Sequence, residues 1–293
     1  MMNIETLHVP YLGQYTNCYT FVTKHYRVFI DTALKSNEPN LLPLLGDGRE
    51  IIVLLTHGHW DHIGCNGLIK AHGGQIWASK NDLPWLNNFK LHWQIGFGQF
   101  QKDVTVPPER WDTFWKEIGE RVDIDRFVKD GDELHFDDVT VRVMALPGHS
   151  RGSVGYYLPD EDVLFTGDAL MHAGFFGGLA QYYDKDSYRD SMERLAALNP
   201  ATVYTAHTPV YEAHTAAAAA QEAIAFSHAI ERCVEAYVKE TQGVLSVGDC
   251  AGYVCGMLGK KVGCGACICV LNHMAGMPEA SQRLDTEKYL CGV

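Results

Sequence analysis

Residues 56–62 read THGHWDH and follow directly on the apolar run IIVLL. His57, His59, Asp61 and His62 fall within six positions, where ligand-type side chains would repel or compete unless an electropositive centre lay between them. A metal is the simplest such centre. Three further β-prone segments also end in a ligand type: PGHS at 147–150 supplies His149, TGD at 166–168 supplies Asp168, and AH at 206–207 supplies His207. One histidine at a strand end is ordinarily a hydrogen-bonded loop residue. Seven imidazoles and carboxylates placed this way read as a metal site, with ligand types that suit zinc, iron or manganese.

Positioning such a set requires strands whose ends converge. The first third of the chain alternates apolar segments with turns: Cys18 to Val22, Tyr26 to Ile30 ending at Asp31, and Ile51 to Leu55 ending at Thr56. A short helix is expected around Asn40 to Leu45, a second from Ile63 to Ala71, and a strand from Gln75 to Ala78. Strands are expected again at 139–146, 154–158, 162–168 and 201–207, with an amphipathic helix at Asp186 to Leu198. This alternation, with chemistry at strand ends, suits a layered α/β protein.

Residues 81–120 interrupt the rhythm with Trp85, Phe89, Trp93, Phe97, Phe100, Trp111, Phe114 and Trp115 among Asn, Gln, Gly and Pro107-Pro108. They read as an inserted segment whose aromatics either anchor it or wall the site. From residue 216 the chain is alanine- and glutamate-rich and predicts a long helix to residue 240, then a shorter one at Val247 to Leu258. The division expected is a catalytic domain at 1–215 and a mainly helical, winged-helix-like region at 216–293. The latter carries a Cys/Gly-rich tail in which Cys264, Cys267 and Cys269 are weighed as a second metal site against plain thiols.

The chain has 293 residues, 46% of them hydrophobic, and a formal net charge of -12 at pH 7 with no Lys/Arg-rich block. That balance predicts a globular protein and argues against nucleic acid as partner, because a phosphate backbone needs a concentrated positive footprint. The N-terminus MMNIETLHVP has neither the basic nor the apolar region of a signal peptide, and no run of apolar residues is long enough to span a bilayer. With nine cysteines, an odd number, the chain is expected in a reducing cytoplasm, without a membrane partner.

The pattern His57-x-His59-x-Asp61-His62, with His149, Asp168 and His207 following, resembles the metallo-β-lactamase-fold hydrolase superfamily over roughly residues 4–215. The resemblance implies an αββα sandwich and two divalent metal ions, zinc first, with iron or manganese as alternatives. His57, His59 and His149 would hold one metal, Asp61, His62 and His207 the other, with Asp168 bridging. Asp31-Thr32 resembles the family's early Asp-Thr turn, expected to support the site from beneath. A hydroxide held between the metals would attack the substrate, with Asp61 orienting it or passing on its proton. His172 and Tyr182, with Tyr183 beside it, are the further catalytic candidates by position after Asp168, and Trp60 is expected to pack near the metals.

All seven positions are kept in glyoxalase-II-like thioesterases and lactonases, the branch this chain resembles. The 92-residue gap from His57 to His149 is long for the family, and the aromatic segment accounts for the excess. A small-molecule carboxylic ester, thioester or lactone with an apolar portion is therefore the expected substrate. Small-molecule phosphodiester or phosphonate hydrolysis is the alternative, needing a cation near the metals for which Lys80, Lys90 and Arg151 are candidates. The helical tail is expected to cap the site or to form a homodimer contact.

Overall fold

The structure is a computed structural model that describes residues 2–11, 14–171, 174, 177–207, 210–284 and 289. Two sheets carry the fold. The first has the order β1 (Glu5–Tyr11), β2 (Gln14–Val22), β3 (Tyr26–Ile30), β4 (Glu50–Leu54), β5 (Gln75–Ser79), β6 (Arg126–Val128), antiparallel up to β3 and parallel from there on. The second runs β11 (Thr202–Thr205), β10 (Val163–Gly167), β9 (Val154–Leu158), β8 (Val139–Ala145), β7 (Glu133–Phe136), with only β10 and β11 parallel.

The sheets face each other because their strands are apolar at alternate positions. Val28, Ile30, Ile52 and Leu54 of the first sheet pack on Phe136, Val141, Tyr156 and Phe165 of the second. The odd neighbours on β3 and β4, Phe29, Ile51 and Val53, turn to the opposite face and pack with Trp60, Ile63 and Ile69. A strand apolar on both faces is the expected signature of a layer covered on both sides.

The helical elements before the second sheet are α1 (Glu38–Leu41), α2 (Trp60–Ile63), α3 (Asn66–Ala71), α4 (Leu83–Asn87), α5 (Phe89–Gly96) and α6 (Pro108–Glu117). After β10 come α7 (Lys185–Leu198), α8 (Ala216–Glu240), α9 (Val247–Leu258), α10 (Cys264–Ala275) and α11 (Pro278–Ser281). α7 starts where Asp184 accepts hydrogen bonds from the Asp186 and Ser187 N–H groups, and stops at Asn199 in the left-handed region. The outer face of the second sheet, through Leu164 and Val203, shares one apolar cluster with Met192 of α7, Ile230 of α8 and Val254 of α9. The layers are thus helix, sheet, sheet, helix: an αββα sandwich with a C-terminal helical extension. Among the described residues the extension contains helices and no strand beyond an isolated bridge between Leu245 and Leu284, so the β-hairpin of a winged-helix shape is not found among them. No helix among them is long and apolar enough to cross a membrane.

Most expected elements occur where the period placed them, with Tyr26–Ile30, Val154–Leu158, Ala216–Glu240 and Val247–Leu258 matching end to end. The expected helix at 63–71 is broken at Gly64, where any Cβ would lie 2.3 Å from the Lys35 backbone nitrogen. The aromatic segment divides by role. Trp85, Phe100 and Phe114 are fully buried anchors, each contributing about 1.5–3 kcal/mol by burial, whereas Phe97 lines a cavity over the ligand residues. The cysteines of the tail form no ligand group: no set of three His, Cys, Asp or Glu ligand atoms among the described residues includes one, and Cys250, Cys255, Cys267 and Cys269 are buried thiols in one apolar cluster.

Candidate metal centre

The seven expected ligand residues come from four loops at one edge of the paired sheets. β4 delivers His57, His59, Asp61 and His62, and the β8–β9 turn delivers His149. Asp168 follows β10, and His207 follows β11. Two glycines make the approach possible. Gly148 has φ +129° and its Cβ would strike the Tyr188 backbone at 2.5 Å; Gly167 has φ +54° and its Cβ would lie 2.2 Å from Thr56 Oγ1.

The ligand atoms form three overlapping groups: His57, His59 and His149; Asp61, His62 and His207; and His57, His62 and Asp168. Within each group the atoms lie within 4.8 Å of one another. His149 Nε2 is 3.2 Å from His57 Nε2 and 2.8 Å from His59 Nδ1. The Asp168 carboxylate sits between the two outer groups, with Oδ2 3.5 Å from His149 Nε2 and 3.4 Å from His207 Nε2, and Oδ1 3.6 Å from His62 Nε2. Asp61 Oδ2 is 3.2 Å from His207 Nε2.

The outer nitrogens explain why the inner ones converge. Thr56 Oγ1 donates to Asp31 Oδ2 and so accepts from His57 Nδ1 at 3.1 Å; His62 Nδ1 donates to the same Asp31 oxygen at 2.8 Å. His149 Nδ1 donates to the Gln181 carbonyl at 2.7 Å, and His207 Nδ1 to the Tyr15 carbonyl at 3.0 Å. Each ring is thereby oriented with its Nε2 turned inward. Asp31 holds φ 60°, a left-handed geometry that aspartate tolerates, and also accepts the Thr56 N–H at 2.7 Å. The Asp31-Thr32 turn thus braces two of the ligand rings from beneath.

Burial, with the neighbouring imidazoles, holds His57 and His59 well below the ordinary histidine range, so both are neutral ligand-type rings. Burial opposes charge on His207 too, but Asp168 and Asp61 outweigh it and push the ring up to about 9. Asp61 is held below the usual carboxylate range: burial resists ionisation, and the His207 hydrogen bond and the His62 charge overcome it. His62 Nε2 is buried without a hydrogen-bond partner. Inward ring nitrogens 3.2 Å apart, an orphaned imidazole nitrogen and two ionised carboxylates together fit divalent cations.

The model of the metallo-beta-lactamase superfamily matches residues 12–207, which span every one of these ligands. The chain belongs to the metallo-beta-lactamase superfamily. Within it, the chain is 32% identical over 198 residues to an uncharacterized protein of Mycobacterium leprae, covering 64% of this chain and 83% of that one. It is 46% identical over 157 residues to the hydroxyacylglutathione hydrolase of Brucella anthropi (53% of this chain, 46% of that one). To GloC, the hydroxyacylglutathione hydrolase of Haemophilus influenzae, it is 32% identical over 124 residues (42% and 51%). The chain therefore spans about half the length of those two hydrolases. The metallo-beta-lactamase family protein TTHA1429 of Thermus thermophilus superposes with a TM-score of 0.73 at 21% identity, covering 93% of this chain and 91% of that one. The first 215 residues alone cannot reach that share, so the likeness of fold takes in the helical extension.

The remaining site expectations divide. Trp60 is buried and lines the cavity above the ligands, as expected. Tyr182 does not line it: the ring is fully buried and its hydroxyl bonds Ser227 Oγ at 3.1 Å and His273 Nε2 at 2.8 Å, toward the extension. Strand-like alternation after Gln181 explains the difference, because consecutive side chains point to opposite sides; Tyr183 is the one that lines the cavity. His172 lies outside the described residues. Lys80, Lys90 and Arg151 do not line the cavity, whose cations are instead Arg110 and Lys261.

Sequence reasoning missed Asp82 and His92. Asp82 is buried and spans the two ligand loops: Oδ2 accepts from Gly58 N at 2.7 Å and Ser150 Oγ at 2.9 Å, and Oδ1 from Gly152 N at 2.8 Å. Its place before Leu83-Pro84 reads as a helix N-cap, yet it makes no capping bond, because its oxygens are taken by the loops. Asp82→Asn removes an acceptor and sets an amide N–H against a buried donor. A loss of about 1–3 kcal/mol is expected in denaturant unfolding of the metal-free protein. Burial raises Asp82 to about 6 despite those bonds. A raised acid stabilises the fold fully below its unfolded value of 3.8 and loses that contribution as pH rises through about 6. The wild type should therefore gain stability relative to Asp82→Asn as pH falls from about 7 to about 4.

Proposed function

We propose that this chain is a binuclear metal-dependent hydrolase of a carboxylic ester, thioester or lactone, with zinc the first choice of metal. The observation that carries the reading is a cavity of about 360 Å³ that ends on His59, Asp61, His149 and Asp168 and is walled by apolar side chains, Trp60, Phe97, Val106 and Leu179 among them. A small molecule with an apolar portion fits such a wall, the carbonyl reaching the ligand residues. The kinship to two hydroxyacylglutathione hydrolases supports acyl transfer to water over other reactions.

His57, His59 and His149 would hold one metal, and Asp61, His62 and His207 the other, with Asp168 between. Bound there, divalent cations supply an acidified water and polarise the scissile oxygen. Asp61, ionised and facing the cavity, orients that water and receives its proton at a carboxylate oxygen. As the new carbon–oxygen bond forms and the bond to the leaving group breaks, the same carboxyl returns the proton to the departing oxygen or sulfur. The aromatic wall keeps bulk water from the reacting carbonyl.

The test is hydrolysis by metal-quantified protein across lactones of increasing chain length, thioesters and phosphodiesters. Two metals per chain with ester, thioester or lactone turnover that rises with acyl length is the expected result. Preference for the phosphodiesters replaces the acyl reading with phosphoryl transfer at the same centre.

A further inference from the structure

We infer that α10 of the helical extension positions the ligand residue His149: Asn272 and His273 fix residues 182–185, and the segment so fixed orients His149 for the metal it would share with His57 and His59. The inference rests on the metal-centre reading above and assigns Asn272, His273 and Tyr182 to it as positioning residues.

The four braced rings do not share one kind of support. Asp31, which follows β3, orients His57 and His62, and Tyr15, whose carbonyl receives His207, is paired within β2. His149 differs: its Nδ1 donates at 2.7 Å to the carbonyl of Gln181, and residues 181–184 belong to neither a helix nor a strand. The same segment holds the glycine before the histidine, because the Tyr183 and Asp184 N–H groups both donate to the Gly148 carbonyl, at 2.8 and 3.2 Å. Ring and turn alike take their placement from a stretch with no ladder of its own. Its backbone groups are therefore paired, and its path fixed, by other parts of the chain.

α10 supplies those partners from two consecutive positions. Asn272 grips the backbone on both sides of Asp184: its Nδ2 donates to the Tyr183 carbonyl, and its Oδ1 accepts from the Lys185 N–H at 2.8 Å. His273 takes the adjacent side chain, its Nε2 lying 2.8 Å from the Tyr182 hydroxyl, which is also 3.1 Å from Ser227 Oγ of α8. Arg189 of α7 anchors the far end of this chain, donating from Nε to Ser227 Oγ at 3.0 Å and from Nη2 to Glu231 at 2.8 Å. The Tyr182 ring stacks on Tyr188 with centroids 4.6 Å apart, and both are fully buried in the cluster that joins α7, α8 and α10.

Residues 182–185 are thus clamped between the extension on one side and the His149 turn on the other. A metal site needs its ligands held to within about 0.5 Å, which depends on the groups behind them as well as on the ligands themselves. Releasing the α10 side of the clamp leaves every ligand in the chain but frees the carbonyl that aims one of them.

The experiment titrates the full chain with Zn²⁺ against a chromophoric chelator in the wild type, Asn272→Ala, Tyr182→Phe and Val254→Ala. His149→Ala and His207→Ala, each lacking one ligand residue, mark which affinity belongs to which metal. Asn272→Ala and Tyr182→Phe should each lower the affinity marked by His149 by about 10-fold and leave the other unchanged. Val254→Ala opens a cavity in the same helical layer from α9, which contributes none of these bonds, and should leave both affinities unchanged. Selective loss in either variant supports the inference and tells whether the backbone grip or the Tyr182 hydroxyl carries it. Loss at both sites alike, loss matched by Val254→Ala, or no loss in either variant overturns it. If the wild type takes up no Zn²⁺, the metal reading fails, and hydrogen exchange at the Tyr183 and Asp184 N–H groups then decides the positioning alone. Exchange faster in Asn272→Ala or Tyr182→Phe than in Val254→Ala supports it, and exchange equal in all three overturns it.

Discussion

Asp61→Asn should reduce kcat by roughly a thousandfold while the protein still binds metal at His57, His59 and His149. The asparagine is isosteric but cannot take a proton, and it weakens the contact that Asp61 Oδ2 makes with His207 Nε2 at 3.2 Å. Parallel measurement of kcat and of metal per chain separates two roles that coincide in this residue. A fall in kcat far larger than the fall in metal content assigns Asp61 to proton handling; a proportional fall makes it a ligand only. Undiminished turnover would remove Asp61 from the mechanism, and it is also the outcome that a metal-binding protein without catalysis could not produce.

Asp31→Ala should lower metal affinity by about 10–100-fold without removing any ligand. One carboxylate holds the Thr56 N–H and hydroxyl and the His62 Nδ1–H, and through Thr56 it orients His57. His57 and His62 belong to different outer ligand groups, so both should weaken together. Competition with a chromophoric chelator reads the two affinities. A stepwise loss confined to one site would show that Asp31 supports only the ring it touches directly.

That these seven side chains come together was legible in the sequence because each stands at the end of a β-prone run, and strand ends on one side of a sandwich are brought to a common edge by the fold itself. Local period was enough for Tyr26–Ile30 or Ala216–Glu240, where burial follows one simple repeat. It failed for α10, whose Cys/Gly-rich sequence has low helix propensity and is held by packing against α8 and α9. Asp82, His92, Arg110 and Lys261 carried no such signal. Each is a lone polar residue in the insertion or the extension, and its meaning depends on which distant loop it meets, as Asp82 meets Gly58 and Gly152. Tyr182 and Tyr183 differ by a single step along an extended chain, and sequence alone cannot choose between opposite faces there.

The cavity is assembled from parts of the chain under different constraints. Its ligand end is fixed by strand termini, where Gly148 and Gly167 admit no side chain. The residues at 105–110 and 261–266 that complete it belong to the insertion and the extension and hold none of the seven ligands. What the cavity admits can therefore change independently of the ligand residues: a substitution at 105–110 or 261–266 alters the wall without touching any of the seven side chains at its base.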